Sequence, residues 1–286
     1  MNYKPLKPDE TLEVCINVGV AKANNTIKRL FLLGILAGAF IAFAAQASSM
    51  ASFNLISSAD TFGVGKALQG IVFAPGLVMV ILAGGELFTG NVLMITSLLE
   101  KKITSSQLLK NWAIVYIGNL CGAILIAFLI YRTGQWANGY NLLGATTIKI
   151  AAGKTSLTLE KAFILGILCN WLVCIAVWMS FATESFSGKI LGIILPIWLF
   201  VTSGFEHSIA NMYYIPAGLF AKQTKDFLLS TNIPTETLQS LTWTNFFIKN
   251  LIPVTLGNIV GGGLFVATIY WLCYHKKEMP KHMRKG

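Results

Sequence analysis

Long stretches of this chain carry no charged side chain. None falls between Arg29 and Asp60, Lys66 and Glu86, Lys110 and Arg132, Lys161 and Glu184, Lys189 and Glu206, or Lys249 and the tail that begins His275-Lys276. A helix needs roughly 20 apolar residues to cross the hydrocarbon layer of a bilayer. Every gap supplies that length except the fifth, residues 190–205, whose apolar pattern resumes after Glu206 and His207 and runs to Ala221. The second gap likewise resumes after Glu86 and runs to Leu99. The pattern predicts an all-α membrane protein with six transmembrane helices, the second and fifth of them broken by a polar interruption.

Composition removes the alternatives. Of 286 residues, 55% are hydrophobic and 12% charged, against about 25% charged in a globular domain. So few charges could not cover the apolar surface of a soluble domain, and a disordered chain would not carry 18 Phe and 7 Trp. With the N-terminus inside, 14 of the 22 Lys and Arg fall on the cytoplasmic side, so the positive-inside rule places both termini in the cytoplasm of a multi-pass protein of the inner (plasma) membrane. The net charge of +10 then reflects anchoring beside the lipid bilayer, not a nucleic-acid partner, which would want one basic soluble face. No cleavable signal peptide is expected. An amphipathic helix over residues 9–24, started by Pro8-Asp9, is expected to lie on the cytoplasmic surface within a segment 1–27. The channel domain would span 28–275, with repeats 28–132 and 160–275, and a basic tail would occupy 276–286. The five cysteines form no CxxC and have no histidine at metal spacing, so neither a metal nor a cofactor is expected.

The two halves repeat each other. Phe31 to Leu36 (FLLGIL) resembles Phe163 to Leu168 (FILGIL); Gly84, Glu86 and Asn91 match Gly204, Glu206 and Asn211; and Lys110-Asn111, Gly118-Asn119 and Gly122 match Lys249-Asn250, Gly257-Asn258 and Gly261. Three crossings per unit, an odd number, make the repeats inverted about an axis in the membrane plane. The broken helices then meet near the midplane, where freed backbone groups must be buried in protein or line an aqueous path.

The breaks hold the chemistry. Residues 84–91 read GGELFTGN and residues 203–211 read SGFEHSIAN. Glycines permit unwinding, and Thr89 can satisfy a freed backbone group or a passing solute. His207 is the one histidine outside the C-terminal tail; it either lines the path or is a buried structural residue, and its depth favours the path. Glu86, Asn91, Glu206 and Asn211 occupy equivalent places in both halves. They read as structural residues, the glutamates tying down unwound backbone by accepting N–H bonds. Asn119, Asn170 and Asn258 are intramembrane amides of the sort that join helices.

At these residues the sequence resembles the formate/nitrite transporter family: GGELFTG over 84–90, Asn170 to Ala176 (NWLVCIA), Ser203 to Met212 (SGFEHSIANM) and Leu251 to Gly263 (LIPVTLGNIVGGG) each look like a family motif. Ile175 stands where the family more often has Leu or Val. The resemblance implies an aquaporin-like protomer, assembled as a homopentamer with one pore in each subunit. Carried over by position, Phe73, Leu77, Leu87 and Phe200 resemble the apolar residues of two constrictions. Thr89, Lys154, Asn170, His207 and Asn258 resemble the polar positions of the substrate pathway. Formate is the expected solute, with nitrite and hydrosulfide as alternatives and protons as co-substrate. An enzyme would need a metal cluster or a nucleophile–base pair, neither of which is present in the pattern. A water- or glycerol-type channel fits the fold but leaves His207 and Lys154 without a purpose.

Overall fold

The computed structural model describes residues 4–275, so the basic tail expected at 276–286 lies outside the described residues. Among the described residues all regular structure is helical. We number the elements α1 (Pro8–Ala23), α2 (Ile27–Ser52), α3 (Ala59–Gly84), α4 (Phe88–Leu99), α5 (Ser105–Thr133), α6 (Leu142–Thr155), α7 (Leu159–Phe181), α8 (Phe186–Thr202), α9 (Ser208–Ala221), α10 (Lys225–Leu229), α11 (Thr235–Ser240) and α12 (Trp243–Tyr274). Five of these, α2, α3, α5, α7 and α12, are long and apolar enough to cross a membrane; α4 and α8 are shorter apolar helices.

Local sequence explains where the helices begin. The hydroxyls of Thr26, Thr104, Thr158 and Ser185 accept N–H groups of the first turns of α2, α5, α7 and α8, satisfying donors that a helix leaves open. Packing is set by small residues. Helix α2 lies along α5 and α7 along α12. A Cβ at Gly118 would sit 2.7 Å from the Phe31 carbonyl, and one at Gly166 2.7 Å from that of Val254. Each pair therefore meets backbone to backbone, as closely packed membrane helices do. Large apolar side chains point outward along the same helices, among them Leu32, Leu125, Ile164, Leu256 and Leu264.

One sequence expectation changes. Helix α1 is not merely a surface helix. Leu12, Cys15, Ile16 and Gly19 are buried, and Ser97 Oγ on α4 donates to the Ile16 carbonyl at 2.8 Å. Burial pushes the Cys15 thiol up to about 12. The segment between the repeats, to which the sequence pattern assigns no element, contains α6, most of whose residues are buried against α9. Its small residues and two lysines disguise a buried helix. Helix α1 packs on α4 much as α6 packs on α9.

Candidate functional site

Both breaks are built alike. Gly84 and Gly204 end α3 and α8 at φ of +88° and +74°, a left-handed geometry that costs any other residue about 1–2 kcal/mol. Three residues, 85–87 and 205–207, are then non-helical, although the N–H groups of Gly85 and Phe205 still reach back to the carbonyls of Val80 and Phe200 at 2.7 and 3.1 Å. Their backbone groups are caught from outside. The Glu86 N–H donates to the Leu33 carbonyl at 3.1 Å, and that of Glu206 to Leu165 at 3.3 Å. Asn119 Oδ1 accepts the Phe88 N–H at 3.0 Å while its amide donates to the carbonyls of Gly34 and Glu86, each at 2.8 Å. Asn258 repeats this with the Ser208 N–H at 3.0 Å and the carbonyls of Gly166 and Glu206 at 2.8 and 3.0 Å. In this way two asparagines staple the two breaks to their neighbouring helices.

The glutamates do something other than the expected backbone anchoring. Lys22 Nζ donates to Glu86 Oε2 at 2.7 Å, and Asn91 donates to the same oxygen at 2.7 Å and to Asn111 Oδ1 at 2.8 Å. Asn111 closes the ring by donating to the Lys22 carbonyl at 3.3 Å. In the other half, Lys154 Nζ donates to Glu206 Oε1 at 2.7 Å, Asn211 to Glu206 Oε2 at 2.6 Å and to Asn250 Oδ1 at 2.7 Å, and Asn250 to the Lys154 carbonyl at 3.1 Å. Each carboxylate is thus neutralised by a lysine from α1 or α6. Such pairs cost several kcal/mol to break on one side. Sequence reading placed Lys22 among the cytoplasmic anchors and missed this. The signal was present: Lys22 and Lys154 stand 132 residues apart, as do Gly34 and Gly166.

The histidine follows Glu206 in the second break. His207 is 3% exposed and stands at the N-cap of α9, its Nδ1 accepting the Ala210 N–H at 3.2 Å. An acceptor Nδ1 puts the proton of the neutral ring on Nε2. Nε2 lies 2.8 Å from Thr89 Oγ1, so the ring donates to the hydroxyl and leaves the Thr89 O–H to donate elsewhere. Asn170 holds Thr89 from behind, its amide donating to the Thr89 carbonyl at 3.2 Å and to the Asn258 carbonyl at 2.7 Å, while its Oδ1 has no partner among the described residues.

Two cavities approach this centre. The larger, about 450 Å³, is lined by Lys66, Gln69, Phe73, Lys149, Lys154, Phe200, Glu206 and His207 among others. At its floor Phe73 and Phe200 meet edge to face, centroids 5.9 Å apart, and Phe200 lies 5.8 Å from the His207 ring. The smaller, about 200 Å³, is lined by Leu77, Leu87, Asn91 and, from α1, Cys15, Gly19 and Lys22. Of the residues singled out in the sequence, Thr89, Asn170, His207, Phe73 and Phe200 gather around one point. Leu77 and Leu87 face the smaller cavity, and Lys154 the larger. Asn258 has all its polar atoms engaged in the break. Among the described residues no three His, Cys, Asp or Glu side chains gather as a metal site would require.

Comparison with known proteins places this geometry. A profile of the family described as formate/nitrite transporter matches residues 9–272. The chain is 39% identical over 284 residues to a probable formate transporter of Methanothermobacter thermautotrophicus, covering 94% of this chain and 97% of that protein. It is 39% identical over 279 residues to the formate channel FocA of Escherichia coli K12, covering 96% of each. Among solved structures it is similar to a pentameric formate channel with formate bound (40% identity, TM-score 0.77, 87% of this chain and 98% of that one). A second similar structure is an ion channel of the FNT family (27% identity, TM-score 0.78, 92% and 98%).

Proposed function

This chain belongs to the formate/nitrite transporter family, and from that membership we propose that it is a membrane channel for a small monovalent anion, formate foremost, which crosses its narrowest part as the neutral acid. The family is one of transporters, so the chain is not an enzyme. One observation carries the reading: the buried His207–Thr89 pair joins the two breaks, with one cavity reaching His207 past Lys154, Glu206, Phe73 and Phe200, and a second, lined by Lys22, Leu77 and Leu87, reaching Gly90 beside Thr89.

The six-crossing, aquaporin-like arrangement in two inverted repeats belongs to the same proposal. It is supported by the duplicated asparagine staples and ion pairs, and by α1 and α6 filling equivalent places. In this arrangement 1–27 form the cytoplasmic segment, 28–275 the channel, and the larger cavity opens outward. Assembly as a homopentamer in the plasma membrane is supported by the outward-facing apolar side chains and by the pentameric relative.

The chemistry follows from desolvation. A bare anion in an apolar constriction has no groups to replace its water, whereas its conjugate acid has little to lose. A formate that passes Phe73 and Phe200 meets the Thr89 O–H, aimed by the His207 Nε2–H behind it. A proton can move from Nε2 through Thr89 to the carboxylate only as another arrives at Nδ1. That arrival displaces the Ala210 N–H, so proton relay is tied to the N-cap of α9. Nitrite and hydrosulfide are also small conjugate bases of weak acids, and the site admits them by the same argument.

Purified protein in liposomes tests this directly. Uptake of formate, nitrite and hydrosulfide should be measured side by side, with water permeability by stopped flow. Formate uptake well above protein-free liposomes, rising as external pH falls, is expected. Water permeation with no anion uptake would give the neutral-solute reading instead.

A further inference from the structure

The larger cavity contains a charge that neither ion pair nor break accounts for. Its charged lining consists of Lys66, Lys149, Lys154 and Glu206. Lys154 and Glu206 neutralise each other at 2.7 Å, leaving the cavity with surplus positive charge. Among the described residues Lys66 has no carboxylate partner; its ammonium donates to Gln69 Oε1 at 3.1 Å. Gln69 is 6% exposed, and with its oxygen turned to the lysine its two amide N–H donors are left for a solute.

Position makes this charge useful. Lys66, Gln69 and Phe73 fall at i, i+3 and i+7, one stripe of α3, so the Lys66 backbone stands about 10 Å, two helical turns, along the helix from Phe73 of the constriction. Lys66 Nζ also reaches 4.0 Å from where a Cβ on Gly204 would lie, at the start of the second break. The helix is pinned there: Trp198 Nε1 on α8 donates to the Ala67 carbonyl at 2.9 Å, and Ser48 Oγ on α2 to that of Gln69 at 2.9 Å. Among the described residues the smaller cavity has no equivalent. Lys22 is the one charged residue in its described lining, and Glu86 neutralises it.

We propose that Lys66 and the amide of Gln69 form an anion-capture site, and that Lys66, not the neutralised Lys154, draws a small monovalent anion to the Phe73–Phe200 constriction. This rests on the channel reading above. Lys154 then serves to hold Glu206 and the break. Lys149 adds to the field of the cavity. The two faces of the channel are consequently unequal: anions are captured electrostatically from the side of the larger cavity only.

The test uses the full-length protein in planar bilayers, with formate added to one side at a time. Wild type should show half-saturation that rises more steeply with ionic strength from the Lys66 side than from the other. Lys66→Gln should raise the half-saturating formate concentration from that side about three- to tenfold, as loss of one focused charge does, with saturating flux little changed. Lys66→Arg should restore it, and Lys149→Gln should have a smaller effect. Equal salt dependence from both sides in the wild type overturns the proposal without any variant. So does a Lys66→Gln channel with unchanged half-saturation, or a Lys66→Arg channel as impaired as Lys66→Gln from both sides alike. A wild-type protein that carries no formate from either side sinks the channel reading itself, and this proposal with it.

Discussion

Replacing Asn258 with leucine separates two roles for an asparagine that sequence places in the pathway and geometry places in the break. Leucine keeps much of the volume and removes three hydrogen bonds: the accepted Ser208 N–H and the two bonds donated to Gly166 and Glu206. All three partners stay behind in a fully buried position. An unsatisfied buried N–H costs about 1–3 kcal/mol, and each carbonyl deprived of one bond about 1 kcal/mol. Burying the new apolar side chain offsets part of this, so the expected loss is about 3–4 kcal/mol. At ~2–4 °C per kcal/mol that is a fall of the order of 10 °C in the unfolding midpoint. Thermal unfolding of the purified protein in detergent, followed by tryptophan fluorescence, measures it. Asn119→Leu should lose nearly as much, because it breaks the same three kinds of bond in the other half. Asn170→Leu should lose about half, since it gives up two donated bonds and an oxygen that already lacks a partner. An Asn258→Leu protein as stable as wild type but impaired in formate flux would refute the staple and restore Asn258 to the pathway.

Other perturbations read the remaining parts. Thr89→Val keeps the shape but strips the donor from the narrowest point; formate flux in proteoliposomes should fall at least tenfold, about 1.4 kcal/mol in the barrier, and unchanged flux would exclude the hydroxyl. His207→Asn should flatten the rise of formate uptake with falling external pH, and a preserved pH profile would exclude the relay. Lys154→Glu sets two carboxylates against each other where a 2.7 Å pair stood; uptake should fall, and adding Glu206→Lys should recover more than half of it, an outcome that no rescue would contradict. Cys15, raised to about 12 by burial where α1 packs on α4, should resist maleimide at pH 8 while α1 is docked, because the thiolate is the reactive form. Labelling at the rate of a free thiol would show that α1 leaves its seat.

Much of this molecule was legible in the order of its residues. Charge-free runs located the long apolar helices, since bare charges are excluded from such lengths, and repeated Gly, Glu and Asn positions located both breaks and paired them. Family resemblance added the pore positions. What stayed hidden was spatial partnership. Lys22 looked like an anchor because nothing in its neighbourhood names Glu86, 64 residues on. Helix α6 went unassigned because its burial comes from α9, not from its own hydrophobicity. The glutamates looked like backbone anchors because an extended break needs acceptors and donors, yet the asparagines of α5 and α12 reach it first. Periodicity and charge are local, so the chain alone can say which residues avoid water. Which side chain neutralises which carboxylate, and which lysine is left with none, depends on helices distant in sequence closing on one another, and only the folded arrangement decides it.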